Sequence, residues 1–175
     1  MRIPIESSTS YRGRNARPNW LALLAFIASA LAAGAIGAAF SPGLSATTDH
    51  WYAALAKPGW SPPNSWFGPV WTALYVLMGI SVWIIWGERY HRGRRSALGA
   101  YSIQLLLNAL WAPLFFGGHD IGAGLFVIIA LWLSIVWTIR EFAAVKAGAA
   151  WMLAPYLLWV SFASALNLAI WKLNP

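Results

Sequence analysis

Residues 20–40 read WLALLAFIASALAAGAIGAAF, twenty-one positions without a charged side chain. A helix rising 1.5 Å per residue over that length crosses the ~30 Å hydrocarbon layer of a bilayer. Four more runs of the same kind follow, Trp66 to Trp86, Ala97 to Phe116, Ile121 to Ile139 and Trp151 to Trp171, and none contains Asp, Glu, Lys, Arg or His. The 175-residue chain is 59% hydrophobic and 10% charged, with mean hydropathy +0.58, which is too apolar for a soluble domain of this length. Alternation at strand period is absent, which argues against a membrane β-barrel, and no internal repeat marks an inverted-repeat transporter. The pattern predicts an all-α integral membrane protein, a five-transmembrane-helix bundle over residues 20–175. Basic residues precede the first run and small ones end it, as in a signal peptide, but its length exceeds the ~7–15 residues of a signal core, so it reads as a span. Residues 1–19 read as a polar, basic tail. With no cysteine, the chain has neither disulfides nor a thiol site.

The net charge of +7 is not gathered into a groove-binding patch, so nucleic acid is not an expected partner. The basic residues sort by loop instead. Arg2, Arg12, Arg14 and Arg17 precede the first span, Arg89, Arg92, Arg94 and Arg95 follow the second, and Arg140 and Lys146 follow the fourth. Only Lys57 and Lys172 fall on the other side, a division of ten to two. In a bacterial-type inner membrane this places the N-terminus in the cytoplasm and the first loop and C-terminus outside.

The spans carry more than apolar filling. In the first, Ala25, Ser29, Ala33 and Gly37 recur every fourth residue beside Ala30, Gly34 and Ala38, a small-residue ridge that admits a neighbouring helix closely; packing within the bundle is favoured over a dimer seam. Trp71, Tyr75, Met78 and Gly79 share a face of the second span, Gln104, Asn108 and Trp111 a face of the third, and Trp159, Ala163 and Asn167 a face of the fifth, after a kink expected at Pro155. Amides within a membrane require partners, so Gln104, Asn108 and Asn167 should point inward, either as ties between helices or as anchors of a site. Aromatic walls with a few fixed polar groups describe a cavity for a flat, largely apolar molecule. The remaining tryptophans, Trp20, Trp66, Trp83, Trp86, Trp132, Trp137, Trp151 and Trp171, mostly suit the membrane interface.

Between the first two spans, residues 51–71 read WYAALAKPGWSPPNSWFGPVW, with four tryptophans and four prolines. Such a loop is too aromatic for disorder and too long for a plain connection. These residues, with Gln104, Asn108, Trp111, Phe115-Phe116 and the stretch PYLLWVSFASALN from Pro155 to Asn167, resemble the translocator protein family, also called tryptophan-rich sensory proteins. The resemblance covers roughly residues 20–174. It implies a five-helix bundle, often a homodimer, that binds porphyrins, haem and synthetic benzodiazepine-type or isoquinoline ligands. Carried over position by position, it implies pocket tryptophans at Trp71 and Trp159, further ligand-lining residues at Tyr52, Tyr75, Asn108, Trp111 and Ala163, and a closing loop over residues 41–65 that includes Lys57 and Trp60; Gln104 joins them from its shared face with Asn108 and Trp111. The prolines restrict that loop and lower the entropy lost on ordering it, so it reads as a lid. The animal sterol motif departs here: Leu166 and Asn167 are followed by Leu168 rather than a tyrosine, which argues against sterol binding.

The expected function is a membrane tetrapyrrole (protoporphyrin or haem) sensor or scavenger that needs no cofactor of its own. One alternative is light-dependent porphyrin degradation, with Trp71 and Trp159 as the reactive groups. Coupled transport is weaker, because the spans lack ionisable residues. His50, His91 and His119 all lie outside the spans, so axial ligation of haem iron is not expected.

Overall fold

The computed structural model describes residues 19–42 and 46–175. The N-terminal tail, with four of the ten clustered basic residues, lies outside the described residues, as do residues 43–45 of the first loop. Helix α1 (Trp20–Phe40) is followed by a short helix α2 (Ala46–Ala54), a 3₁₀ turn at Asn64–Trp66, and α3 (Phe67–Gly87). Then come α4 (Arg94–Ala112), a π turn at Pro113–Gly117, α5 (Ile121–Val145), the short α6 (Ala147–Trp151), and α7 (Ala154–Leu173). Five of these segments are long and apolar enough to cross a membrane, and no strand occurs among the described residues.

Local sequence sets the boundaries. The Asn19 side chain accepts from the Ala22 amide at 3.1 Å and Asp120 from the Ala123 amide at 2.8 Å, so α1 and α5 each begin on a side-chain cap. The helices exceed the apolar runs where they leave the hydrocarbon: α4 starts on Arg94 and Arg95, and α5 continues through Arg140 and Glu141. Two interruptions fall at prolines. Pro113 has no amide proton to continue the α ladder, and the chain widens into a turn closed by the Gly118 amide on the Pro113 carbonyl at 2.9 Å. That turn buries Phe115 and Phe116 together, which a continuous helix through Phe116 would have splayed apart. The predicted kink in the last span is a break at Met152 and Leu153, after which Pro155 starts α7 at a position that needs no amide.

The bundle closes through its smallest residues. Ala30 and Ala33 are the buried positions of α1, and Gly37 lies 3.6 Å, at the place a Cβ would occupy, from the Ala112 methyl on α4. A Cβ on Gly34 would overlap the Tyr75 ring, and one on Gly79 would come within 2.6 Å of the Ile27 Cα. Within the small-residue ridge, Gly34 packs against α3 and Gly37 against α4, while Ala25, Ser29 and Ala38 are exposed. Around this seam Met78, Val82, Ile85, Leu131, Ile135, Phe142, Tyr156 and Val160 form one continuous core. Ser81 donates to the Ala149 carbonyl at 2.8 Å and joins α3 to α6. Trp132 lies inside the bundle rather than in the interfacial belt, because its indole donates to Ser161 at 2.8 Å and links α5 to α7. Large side chains such as Leu21, Leu24, Phe126 and Leu158 point outward, as a lipid environment allows.

Gly79→Ala should be costly, since the added methyl meets backbone that cannot yield and α1 must lift from α3. We expect a loss of about 1–3 kcal/mol, read as a lower unfolding temperature in detergent. An unchanged midpoint would show that α1 does not rest on this glycine.

Candidate functional site

A cavity of about 380 Å³ opens between α1, α3 and α4. Its α1 wall is the small-residue ridge, Gly34, Gly37 and Ala38, and its opposite wall is aromatic, with Phe67, Trp71 and Tyr75 from α3 and Trp111 from α4. Ser41, Pro42 and Asn64, from the two ends of the first loop, also line it. No lining residue is acidic or basic. Trp71 stacks on Tyr75 at 5.5 Å with an interplanar angle of 24°, so each ring holds the other in place on the aromatic side of the cavity.

Asn108 is the polar centre of this site. Its Oδ1 accepts from the Tyr75 hydroxyl at 2.7 Å and its Nδ2 donates to the Tyr156 hydroxyl at 3.0 Å, which joins α3, α4 and α7 in one buried network. A carboxamide offers two N–H groups and two acceptor lone pairs. One donor and one acceptor are used, so Asn108 ties the bundle together and keeps capacity for a further partner. Gln104, one turn deeper, directs its Nε2 to the Met78 sulfur at 3.8 Å, while its Oε1 finds no protein partner among the described residues.

The remaining sequence-predicted residues form the surroundings of the cavity rather than its lining. Trp159 packs edge-on against Phe67 at 5.8 Å and beside Phe162 at 5.6 Å, behind the aromatic wall. Trp60 reaches Phe162 at 5.7 Å from the loop. Ala163 is buried on α7 within the core. Tyr52 packs edge-on against Phe116 at 5.4 Å, and burial raises its hydroxyl pKa while a hydrogen bond with Ser61 opposes the shift. Lys57 turns back to donate to the carbonyls of Tyr52, Ala53 and Leu55, the last at 3.1 Å, and covers the Tyr52 ring at 4.6 Å. It thereby caps α2, offsetting the negative end of that helix. Thus the structure brings Trp71, Tyr75, Asn108 and Trp111 to one cavity, whereas Tyr52, Lys57, Trp60, Gln104, Trp159 and Ala163 are not part of its lining.

The first loop is built as a docked strap. Asn174, at the end of α7, accepts from the Ala56 amide at 3.0 Å and donates to the Ala56 carbonyl at 3.0 Å, pairing with the loop as a neighbouring strand would. Trp51 stacks on His119 at 4.8 Å and meets Phe115 edge-on at 5.6 Å. His119 adopts a left-handed conformation, φ 53°, which directs the chain out of the π turn toward α5. Sequence reasoning missed Phe67, Gly34 and the loop ends at Ser41, Pro42 and Asn64. Gly34 was legible as a ridge residue, but nothing in a single sequence distinguishes a ridge that packs from one that also walls a cavity.

The architecture is that of an α-helical integral membrane protein with an aromatic, uncharged cavity between its helices. Residues 25–172 match the model of the TspO/MBR family, and the chain belongs to that family. It is 43% identical to the tryptophan-rich protein TspO of Archaeoglobus fulgidus over 87% of this chain and 98% of that one. It is 34% identical to a tryptophan-rich sensory protein of Cereibacter sphaeroides, over 89% and 93% of the two chains. With the human translocator protein it shares 37% identity over 71% and 75%.

Asn108→Leu should leave the Tyr75 and Tyr156 hydroxyls without their partner, at a cost of about 1–3 kcal/mol. Unfolding midpoints should show a larger loss for Asn108→Leu than for the isolated Ser29→Ala on the rim of α1. Asn174→Leu should release the loop without touching the cavity; we expect faster proteolysis within residues 55–65 and an unchanged unfolding midpoint of the bundle. Protection equal to that of the parent chain would show that the Ala56 pairing does not hold the strap.

Proposed function

We propose that this protein is a membrane tetrapyrrole-binding sensor or scavenger that takes protoporphyrin or haem into the cavity between α1, α3 and α4. The observation that carries the reading is an uncharged slot walled by Phe67, Trp71 and Trp111 on one side and by Gly37 and Ala38 on the other, with the Asn108 amide beside it. Such a slot selects flat, apolar rings by shape and one hydrogen-bonding group by direction. The volume lies at the lower end of the range for small-molecule sites, ~300–1,000 Å³. A ligand of isoquinoline or benzodiazepine size fits within it, and a tetrapyrrole enters by one edge, with the rest at the mouth between Ser41, Pro42 and Asn64. The Trp111 indole N–H, buried without a protein partner among the described residues, adds a donor on the same wall. Relatives named as sensory and translocator proteins fit a role in recognising a small molecule within the membrane.

A titration with protoporphyrin in the dark, followed by tryptophan quenching, tests the proposal. Trp71→Leu removes the stacking surface, worth about 0.5–1.5 kcal/mol beyond area alone, and should weaken binding roughly three- to tenfold. Binding of equal strength in parent and variant would place the ligand elsewhere. Repeating the titration in light addresses degradation: loss of porphyrin absorbance that depends on light and on Trp71 would make the protein an enzyme, and stable absorbance leaves it a binder.

A further inference from the structure

We propose a second binding site, for the phosphate of an anionic phospholipid headgroup, on the rim made by Trp86 and the loop between α3 and α4. The loop runs GERYHRGRRS from Gly87 to Ser96 and carries four arginines in seven residues. It is held tightly rather than left to spread. The Arg89 guanidinium lies 5.2 Å from the Trp86 ring centre and that of Arg94 lies 5.9 Å from it. Arg94 also donates from Nε to the Trp86 carbonyl at 2.9 Å. Two cations are therefore fixed against one indole at the end of a membrane span, which lowers the entropy lost when they engage a ligand. Arg92 and Arg95 are exposed beside them.

The carboxylates on this face do not neutralise the cluster. Glu88 pairs with Lys146 at 3.3 Å, and Glu141 accepts from the Trp137 indole at 3.2 Å. No ion pair engages any of the four arginines among the described residues. The level of the rim is set by aromatic side chains that favour the headgroup layer: Trp20 stacks on Trp83 at 6.1 Å, and the Trp83 indole donates to the Asn19 carbonyl at 3.2 Å. With a face of Arg89 and Arg94 laid on the indole, the forked N–H donors at the guanidinium edges match phosphate oxygens. A cationic, donor-only cluster at headgroup depth fits the phosphate of a net-anionic lipid better than that of a zwitterionic one, whose own ammonium group competes for it.

The test uses the full chain in proteoliposomes with spin-labelled phosphatidylglycerol or phosphatidylcholine, reading the protein-immobilised fraction of each. We expect phosphatidylglycerol to be preferred about fivefold or more, in line with the attraction of basic residues to an anionic leaflet. The Arg89→Gln, Arg92→Gln, Arg95→Gln variant should lower the ratio at least by half, and Lys172→Gln on the opposite face should not. No preference in the parent chain, or an unchanged ratio in the triple variant, overturns the proposal. Should the variant fail to fold, the parent chain in ~1 M salt, where screening acts within ~3 Å, should lose most of its preference; full retention would overturn it. Displacement of the lipid by inorganic phosphate, beyond that by chloride of equal ionic strength, would assign the site to a free anion and also overturn it.

Discussion

The cavity exists because one side of α1 has almost no side chains. Gly34 accepts the Tyr75 ring against its backbone, and Gly79 accepts the backbone of Ile27, so α1 and α3 approach to a distance that larger residues would forbid. In lipid, where both helix and solvent are apolar, such close packing supplies much of the attraction that water would supply to a soluble core. The same geometry leaves the aromatic side chains of α3 with a smooth backbone opposite them. Helix packing and the flat slot are two consequences of one seam.

A second constraint acts on the polar groups. Every amide within the hydrocarbon must be satisfied by protein, ligand or water. Asn108 meets this requirement with two tyrosine hydroxyls from two other helices. Asn167 is buried with neither end of its amide partnered, and Gln104 has an unpartnered oxygen, among the described residues. Buried polar atoms of this kind mark places where a water or another polar group completes the structure. The polar side of the bundle is thus unevenly settled: fixed at Asn108, and open around Gln104 and Asn167.

Much of this was legible from residue spacing. The five spans followed from uninterrupted apolar length, and the inward faces of α3 and α4 from the spacing of Trp71 with Tyr75 and of Gln104 with Asn108 and Trp111. What spacing does not carry is depth and azimuth. Trp71 and Trp159 both sit on inward faces, yet Trp71 lines the cavity whereas Trp159 packs edge-on against Phe67, which lines it instead. The loop shows the same limit. Its prolines announced restricted backbone, but helix α2 and its lysine cap depend on carbonyls that only the folded chain brings to the Lys57 amine. The π turn starts at Pro113, a residue visible in sequence, but its width and the joint burial of Phe115 and Phe116 appear only in the folded chain.

Those two phenylalanines join the loop to the cavity wall. Trp111 lines the cavity and stacks on Phe115 at 5.3 Å, and Phe115 in turn meets Trp51 and Tyr52 of α2. Phe67 lines the cavity from α3 and touches Trp159, which meets Phe162 beneath Trp60. Each aromatic chain begins at a cavity wall and ends on the strap, so the cavity wall and the loop share one continuous set of packed rings. The wall itself contains no acidic or basic group, and a carboxylate carried into it would lose its hydration with no cation to pair it. A tetrapyrrole bound there would accordingly keep its acidic substituents at the mouth, beside Ser41 and Asn64, where the strap begins and ends.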